Sequence, residues 1–204
     1  LRRRQRQMCI RDRYGGTAVR YYPDGQTMLA DMLPALQSAE RSIFVESFII
    51  GMGEMWGQIH EILRRKAAAG LDVRVIYDDA GCLSLLPHNY AELLRAEGIR
   101  AFSFNRCVPV LNLVMNNRDH RKIMVIDGKI GFTGGVNLAD EYINRLVRFG
   151  YWKDSGVRLE GPGAGALANI FLTFWKAQYP EEDIDIDRGP VSYTHLTLPT
   201  TERV

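Results

Sequence analysis

His120 and Lys122 stand two positions apart in the stretch "NNRDHRKIMVIDGKIGFTGGVN", followed by Asp127, the pair Gly134-Gly135 and Asn137. Side chains two apart on an extended strand leave the same face. One face would then carry a nucleophile or base together with a fixed cation. Asp127-Gly128 between apolar runs predicts a hairpin. The returning strand can carry Gly134, Gly135 and Asn137 back beside His120. Glycines let a backbone approach a ligand closely, and Asn137 adds an amide donor. An ammonium, an amide and exposed backbone N–H groups suit a phosphate oxyanion. A histidine beside a bound phosphate can attack phosphorus and split one hard displacement into two easier ones.

The spacing is His120-x-Lys122, four residues, Asp127, six residues, Gly134-Gly135, one residue, Asn137. It resembles the HxK(x)4D(x)6GGxN signature of the phospholipase D superfamily. "IFVESFII", "GLDVRVIYDDAG", "LNLVMNNRDHRKIMVIDGKIGFTGGVNLADEYI" and "YWKDSGVRLEGP" look like the first catalytic half of bacterial cardiolipin synthases, over roughly residues 17–180. The resemblance implies an active site in which two such motifs meet. One His attacks phosphorus to give a phosphohistidine. The other protonates the leaving oxygen and later deprotonates the incoming alcohol, with no metal and no cofactor. It also implies that phosphatidylglycerol is both donor and acceptor, and that the products are cardiolipin and glycerol.

Carried over by that resemblance, His120 is the nucleophile or the acid/base histidine. Lys122 and Asn137 hold phosphate oxygens, and Gly134 and Gly135 shape the cradle. Asp127 matches the motif carboxylate. An Asx role in its Asp-Gly turn explains it equally well. Asp154 in "YWKDSG" matches a downstream carboxylate that the superfamily places on the second ring nitrogen of the histidine, where it would fix the tautomer.

Other polar residues have plainer readings. Arg118 and Arg121 would line an anionic-lipid entrance or be solvated. Alternation puts Arg121 on the face opposite His120, which favours a structural role. Glu46 lies in an apolar run, where an ionised carboxylate costs several kcal/mol unless paired, so it should meet a cation or be protonated. Glu46 is thus a candidate for supporting the site. Asp78 and Asp79 fall at a strand end, where helix capping is the preferred reading over ligand binding. The apolar stretch "CVPVLNLVM" (107–115) would contact lipid or form a buried strand. His60 and His88 read as an ordinary helix residue and a loop residue.

The elements that must position these residues follow from periodicity. Strands are predicted over "AVRYYPDG", "SIFVESFII", "LDVRVIYDDAG", "IRAFSF", "RKIMVID", "IGFTGG" and "VRLEG". Helices are predicted over "QTMLADMLPALQSAE", where Pro34 is a caution, "MWGQIHEILRRKAAAG" and "NYAELLRAEG". A last helix carries an apolar stripe of Leu167, Ile170, Phe171, Phe174 and Trp175. The fold class expected is α/β: a phospholipase D-like domain with a mixed, mostly parallel β-sheet flanked by helices on both faces.

Composition bounds the rest. The chain has 204 residues, 46% hydrophobic and 25% charged, the balance of a globular α/β protein. No run of 18 apolar residues is present, so no membrane span is predicted, and no apolar signal region follows the basic N-terminus. The net charge of +2 comes from residues 1–13, which carry six Arg against one Asp and leave −3 for the remainder. A nucleic-acid partner is therefore not expected. Cys9, Cys82 and Cys107 show no paired or metal-ligand spacing. The ends, 1–13 and 183–204, lack apolar periodicity. They resemble translated sequencing-adapter read-through and are expected to be non-native or disordered tails around a single domain, 14–182, from a gene fragment.

Three function classes compete. The first is a phosphatidyltransferase half-domain, with the second motif in the parent chain and the parent associated with a bacterial inner membrane. The second is a single-motif, nuclease-like phosphodiesterase active as a homodimer. The third is an inert relic or fragment. "FTGGVNLADEYI" and the acidic remainder favour the first.

Overall fold

The computed structural model describes residues 15–107, 117–148 and 150–182. The two predicted tails, most of "CVPVLNLVM" and His195 lie outside the described residues.

Among the described residues, seven strands form one sheet in the order β1-β7-β6-β5-β2-β3-β4. They are β1 (Ala18–Tyr22), β2 (Ser42–Ser47), β3 (Asp72–Asp78), β4 (Arg100–Phe104), β5 (Ile123–Ile126), β6 (Ile130–Gly134) and β7 (Gly156–Glu160). The helices are α1 (Gly25–Gln37), α2 (Glu54–Ala68), α3 (Asp79–Cys82), α4 (Tyr90–Ala96) and α5 (Pro162–Gln178), with a 3-10 turn at Asp140–Ile143.

The sheet is mixed, but its parallel share is smaller than predicted. Only β2–β3 and β3–β4 pair parallel, whereas β1–β7, β7–β6, β6–β5 and β5–β2 pair antiparallel. The β2-α2-β3-α4-β4 unit is the expected crossover rhythm. Strand β1 departs from it: it crosses to the far edge and pairs with β7. A short turn makes β5–β6 an antiparallel hairpin, whereas β7 returns beside β6 only after the long connection 135–155.

The two sheet faces bury separate cores. Ile43, Val45, Val73, Val75, Met124 and Ile126 pack beneath α1, α2 and α4. Phe44, Ile76, Phe102, Ile123 and Val125 pack against α5. Alternation along each strand produces this division. The buried face of α5 is Ala164, Ala168, Phe171, Leu172 and Trp175, whereas Ile170 of the predicted stripe is 44% exposed. Helix α1 begins at Asp24, whose side chain accepts from Thr27 N at 2.8 Å. It runs on through Pro34, held by burial of Met28, Leu29, Met32, Ala35 and Leu36.

Strand directions put two sets of residues at opposite ends of the sheet. The C-terminal ends of β2, β3 and β6 and the starts of β5 and β7 share one end. The Asp127-Gly128 turn and the start of β2 lie at the other.

Candidate active site

His120 and Lys122 precede β5, which begins at Ile123 rather than at Arg121 as predicted. The two side chains nonetheless meet, in keeping with the same-face expectation for the pair. Lys122 Nζ donates to His120 Nδ1 at 3.1 Å and to the His120 carbonyl oxygen at 2.6 Å. An ammonium only donates, so Nδ1 accepts and the proton of a neutral ring sits on Nε2. Burial lowers the Lys122 pKa, an effect that the Asp119 and Asp154 carboxylates oppose without reversing. His120 is exposed.

Phe48, just beyond β2, serves both residues. Its ring lies 4.6 Å from the His120 ring, and Lys122 Nζ stands 5.3 Å from its centre. Sequence reading gave Phe48 no role. Its signal was its place at the C-terminal end of a buried strand, where α/β sites gather.

Asn137 reaches this end of the sheet. Its Oδ1 accepts from Ile49 N at 3.0 Å, and its Nδ2 donates to the Tyr142 hydroxyl at 2.7 Å. The amide thus fastens the chain after β6 to the residue beside Phe48. The glycine pair is crowded by protein. A Cβ on Gly135 would fall 1.9 Å from Asp154 Oδ1, and one on Gly134 would fall 2.5 Å from the Ser155 carbonyl oxygen. Gly134 also has φ +151, which disfavours a side chain. These glycines admit Asp154 and the start of β7 against β6.

Asp154 makes no hydrogen bond to His120 among the described residues, contrary to the expected carboxylate–imidazole pair. Its Oδ1 accepts from Ser155 N at 2.8 Å, which holds the carboxylate against its own strand. It bears on the site by acting on the charge of Lys122.

Asp127 also departs from the catalytic reading. It lies seven residues from His120, at the far end of β5, about 24 Å along an extended chain at roughly 3.4 Å per residue. Its carboxylate accepts from Glu40 N at 2.9 Å and from Arg41 N and Ser42 N at 2.8 Å. Burial pushes its pKa up, but those N–H donors and Arg41 outweigh burial and hold it below the usual carboxylate value. With φ +53, Asp127 makes the turn and ties it to the start of β2. The geometry gives it a structural role.

Beneath the motif, on the α5 face, lies a second polar group. Glu46 is 1% exposed. Arg121 Nε stands 2.8 Å from Glu46 Oε1 but directs its hydrogen bond to Asp119 Oδ1, at 2.9 Å. Among the described residues, both Glu46 oxygens and Asp119 Oδ2 are buried without a hydrogen-bond partner. Burial, reinforced by the facing Asp119 carboxylate and opposed by Arg121, pushes the Glu46 carboxyl up to about 9. It is therefore protonated at neutral pH and can give its proton to Asp119. Glu46 meets a cation, and burial with the facing Asp119 carboxylate favours its protonated form. Arg121 faces away from His120, as alternation predicted, and lies 4.3 Å over the Phe174 ring.

Asp119, unmarked in sequence reading, links this group to the backbone around His120. Its N–H donates to Asp78 Oδ2 at 2.9 Å. Asp78 also caps α3 through Ala80 N and Gly81 N, as its capping reading predicted, and accepts from Arg118 at 3.3 Å. Asp79 accepts from Cys107 N at 2.7 Å. His60 pairs with Glu97 on the surface, and His88 lies in a turn. A cleft of about 490 Å³ opens on the motif, lined by Phe104, Arg118, Asp119, His120, Arg121 and Phe174. It can admit an anionic group with apolar substituents to His120.

Comparison with known proteins gives this geometry a family. Residues 32–147 match the family described as cardiolipin synthase, phospholipase D-like domain. The chain is 49% identical over 162 residues to an uncharacterized protein of Streptococcus mutans, covering 79% of this chain and 35% of that one. It is 36% identical over 169 residues to cardiolipin synthase of Staphylococcus aureus, covering 83% and 34%. The chain thus spans about a third of the length of these curated relatives. Among solved structures, Nuc from Salmonella typhimurium, a phospholipase D family member, has a similar fold. The TM-score is 0.53 at 20% identity, covering 81% of this chain and 94% of that one.

Proposed function

The chain belongs to the cardiolipin synthase, phospholipase D-like domain family, and from that premise we propose that it is one half of a phosphatidyltransferase active site. The observation that carries the reading is the exposed His120 ring, held by the Lys122 ammonium at the mouth of a cleft. The parent enzyme joins two phosphatidylglycerol molecules to give cardiolipin and glycerol at a bacterial inner membrane. His120 is one of two histidines that divide the work. A nitrogen of the nucleophilic His bonds to phosphorus as the bond to the glycerol oxygen breaks, and the second His protonates that oxygen. The second His then takes the proton of the acceptor hydroxyl. The acceptor oxygen bonds to phosphorus, and the phosphorus–nitrogen bond breaks.

Lys122 neutralises a phosphate oxygen through both steps. Gly134 and Gly135 let β7 and Asp154 close on the cradle, and Asn137 fastens its wall to Ile49. Asp154 acts on the charge of Lys122. Glu46 supports the motif from below, through Asp119. No cofactor and no nucleic-acid partner enter the scheme. The second His comes from further chain of the parent, in keeping with relatives about three times as long. A second copy of the chain is the other source.

The test is transfer between phosphatidylglycerol molecules, with and without a chelator. The full-length parent should form cardiolipin, and the isolated 204-residue chain should form little or none. Chelator-resistant turnover by the isolated monomer would refute the half-site reading.

A further inference from the structure

A loop next to the site displays apolar side chains to solvent from a fixed base. Asn144 has φ +56 and brackets Trp152: its Oδ1 accepts from Trp152 N at 2.7 Å and its Nδ2 donates to the Trp152 carbonyl at 3.0 Å. The Trp152 ring packs 5.0 Å from Tyr142, whose hydroxyl holds Asn137. Arg145 N donates to the Asp140 carbonyl at 2.9 Å, and the Arg145 side chain reaches Glu54 at 3.2 Å. The base is thus tied to the same tyrosine and amide that shape the site.

Beyond that base, Leu146 is 55% exposed, Val147 73% and Tyr151 70%. Met52, 62% exposed, belongs to the adjoining turn, whose next residue Gly53 lies against the Asp140 carboxylate. Residues 144–153, "NRLVRFGYWK", carry three basic residues and no acidic one. Exposed leucine, valine and tyrosine interleaved with arginine and lysine match an interfacial lipid contact. Apolar tips enter the acyl boundary while the cations meet anionic headgroups.

We infer that this loop, with Met52 beside it, docks the domain on an anionic lipid bilayer and turns the His120 cleft toward the headgroups. The inference rests on the lipid-transfer reading of the site and adds the surface that presents the lipid. Arg145 is taken up by Glu54. Arg148 and Lys153, which flank the exposed Tyr151, give the tip its basic charge, which matches anionic headgroups and selects a membrane over a second protein copy as the occupant. The short path from Trp152 through Lys153 to Asp154 places the contact beside the chemistry.

The experiment is vesicle co-sedimentation of the 204-residue chain carrying His120→Ala, so that no turnover is needed. Vesicles are phosphatidylcholine alone or with phosphatidylglycerol. Leu146→Ser, Val147→Ser and Tyr151→Ser together should weaken binding to the phosphatidylglycerol vesicles at least tenfold. Val19→Ser with Tyr21→Ser, on the edge strand, should leave it unchanged. Equal binding by the loop variant would overturn the inference, as would loss of a dimer with vesicle binding intact. Tyr151→Trp gives a second readout: brominated acyl chains should quench its fluorescence beyond that of the parent chain, and no extra quenching overturns the insertion. Transfer by the full-length parent on monomeric short-chain phosphatidylglycerol reads the site alone. Its failure would remove the proposed function while the binding result stands.

Discussion

Lys122 Nζ stands 3.1 Å from Nδ1 of His120 and 2.6 Å from its carbonyl oxygen, over the face of the Phe48 ring. The lysine therefore orients the histidine, and in the proposed reaction it also offers a charge to phosphate. Three substitutions in the full-length parent separate these contributions. His120→Ala should abolish product formation, and normal turnover would sink the role given to His120. Lys122→Met should lower kcat/KM by roughly 10²–10³, the usual cost of losing a charged donor to a transition-state oxyanion. Lys122→Arg should rescue little, because the site is 8% exposed and a planar guanidinium does not fit where a narrow ammonium sits.

Gly135 is required by Asp154 rather than by a ligand, since a Cβ there would sit 1.9 Å from Asp154 Oδ1. Gly135→Ala should destabilise the chain by about 1–3 kcal/mol through overpacking. In an Asp154→Ala background the same change should cost less, because the colliding oxygen is gone. Urea unfolding of the four proteins in the cycle measures the difference. Strictly additive costs would show that the glycine serves another purpose.

Asp127 should behave as a structural residue. Asp127→Ala leaves the N–H groups of Glu40, Arg41 and Ser42 without their acceptor. About 1–3 kcal/mol of stability should be lost, and Asp127→Asn should lose less because one oxygen remains. Turnover per folded molecule of the parent should stay near normal in both. A hundredfold fall in kcat at unchanged stability would restore a chemical role.

Glu46 makes stability fall as pH rises. Its carboxyl is raised from 4.5 to about 9 on folding, mainly by burial, with Asp119 adding to the rise and Arg121 opposing it. Between those values the folded protein keeps a proton that the unfolded chain releases, so stability declines from about pH 4.5 upward and levels near 9. Glu46→Gln keeps a donor for Asp119 and carries no proton to lose. It should flatten the decline and exceed the parent chain by at least about 1 kcal/mol at alkaline pH. Denaturant midpoints across pH 5 to 9 provide the measurement, and identical slopes would contradict a protonated Glu46.

How much of this was legible in the sequence depends on the reach of each interaction. Strand alternation is a local property, so the shared side of His120 and Lys122 and the opposite side for Arg121 followed from numbering alone. The Asp127-Gly128 turn and the apolar setting of Glu46 were local in the same sense. The spacing from His120 to Asn137 also identified the family. Tertiary structure decided what those residues meet. An aspartate seven residues along an extended chain is carried to the far end of the sheet, so membership in the motif did not bring Asp127 to the site. Asp154 lies against Gly135 because β7 pairs with β6. Phe48 reaches His120, and Arg121 and Asp119 reach Glu46, because β2 lies beside β5. Those neighbours come from pairing across long stretches of chain, set by total burial, and no short-range pattern encodes that order.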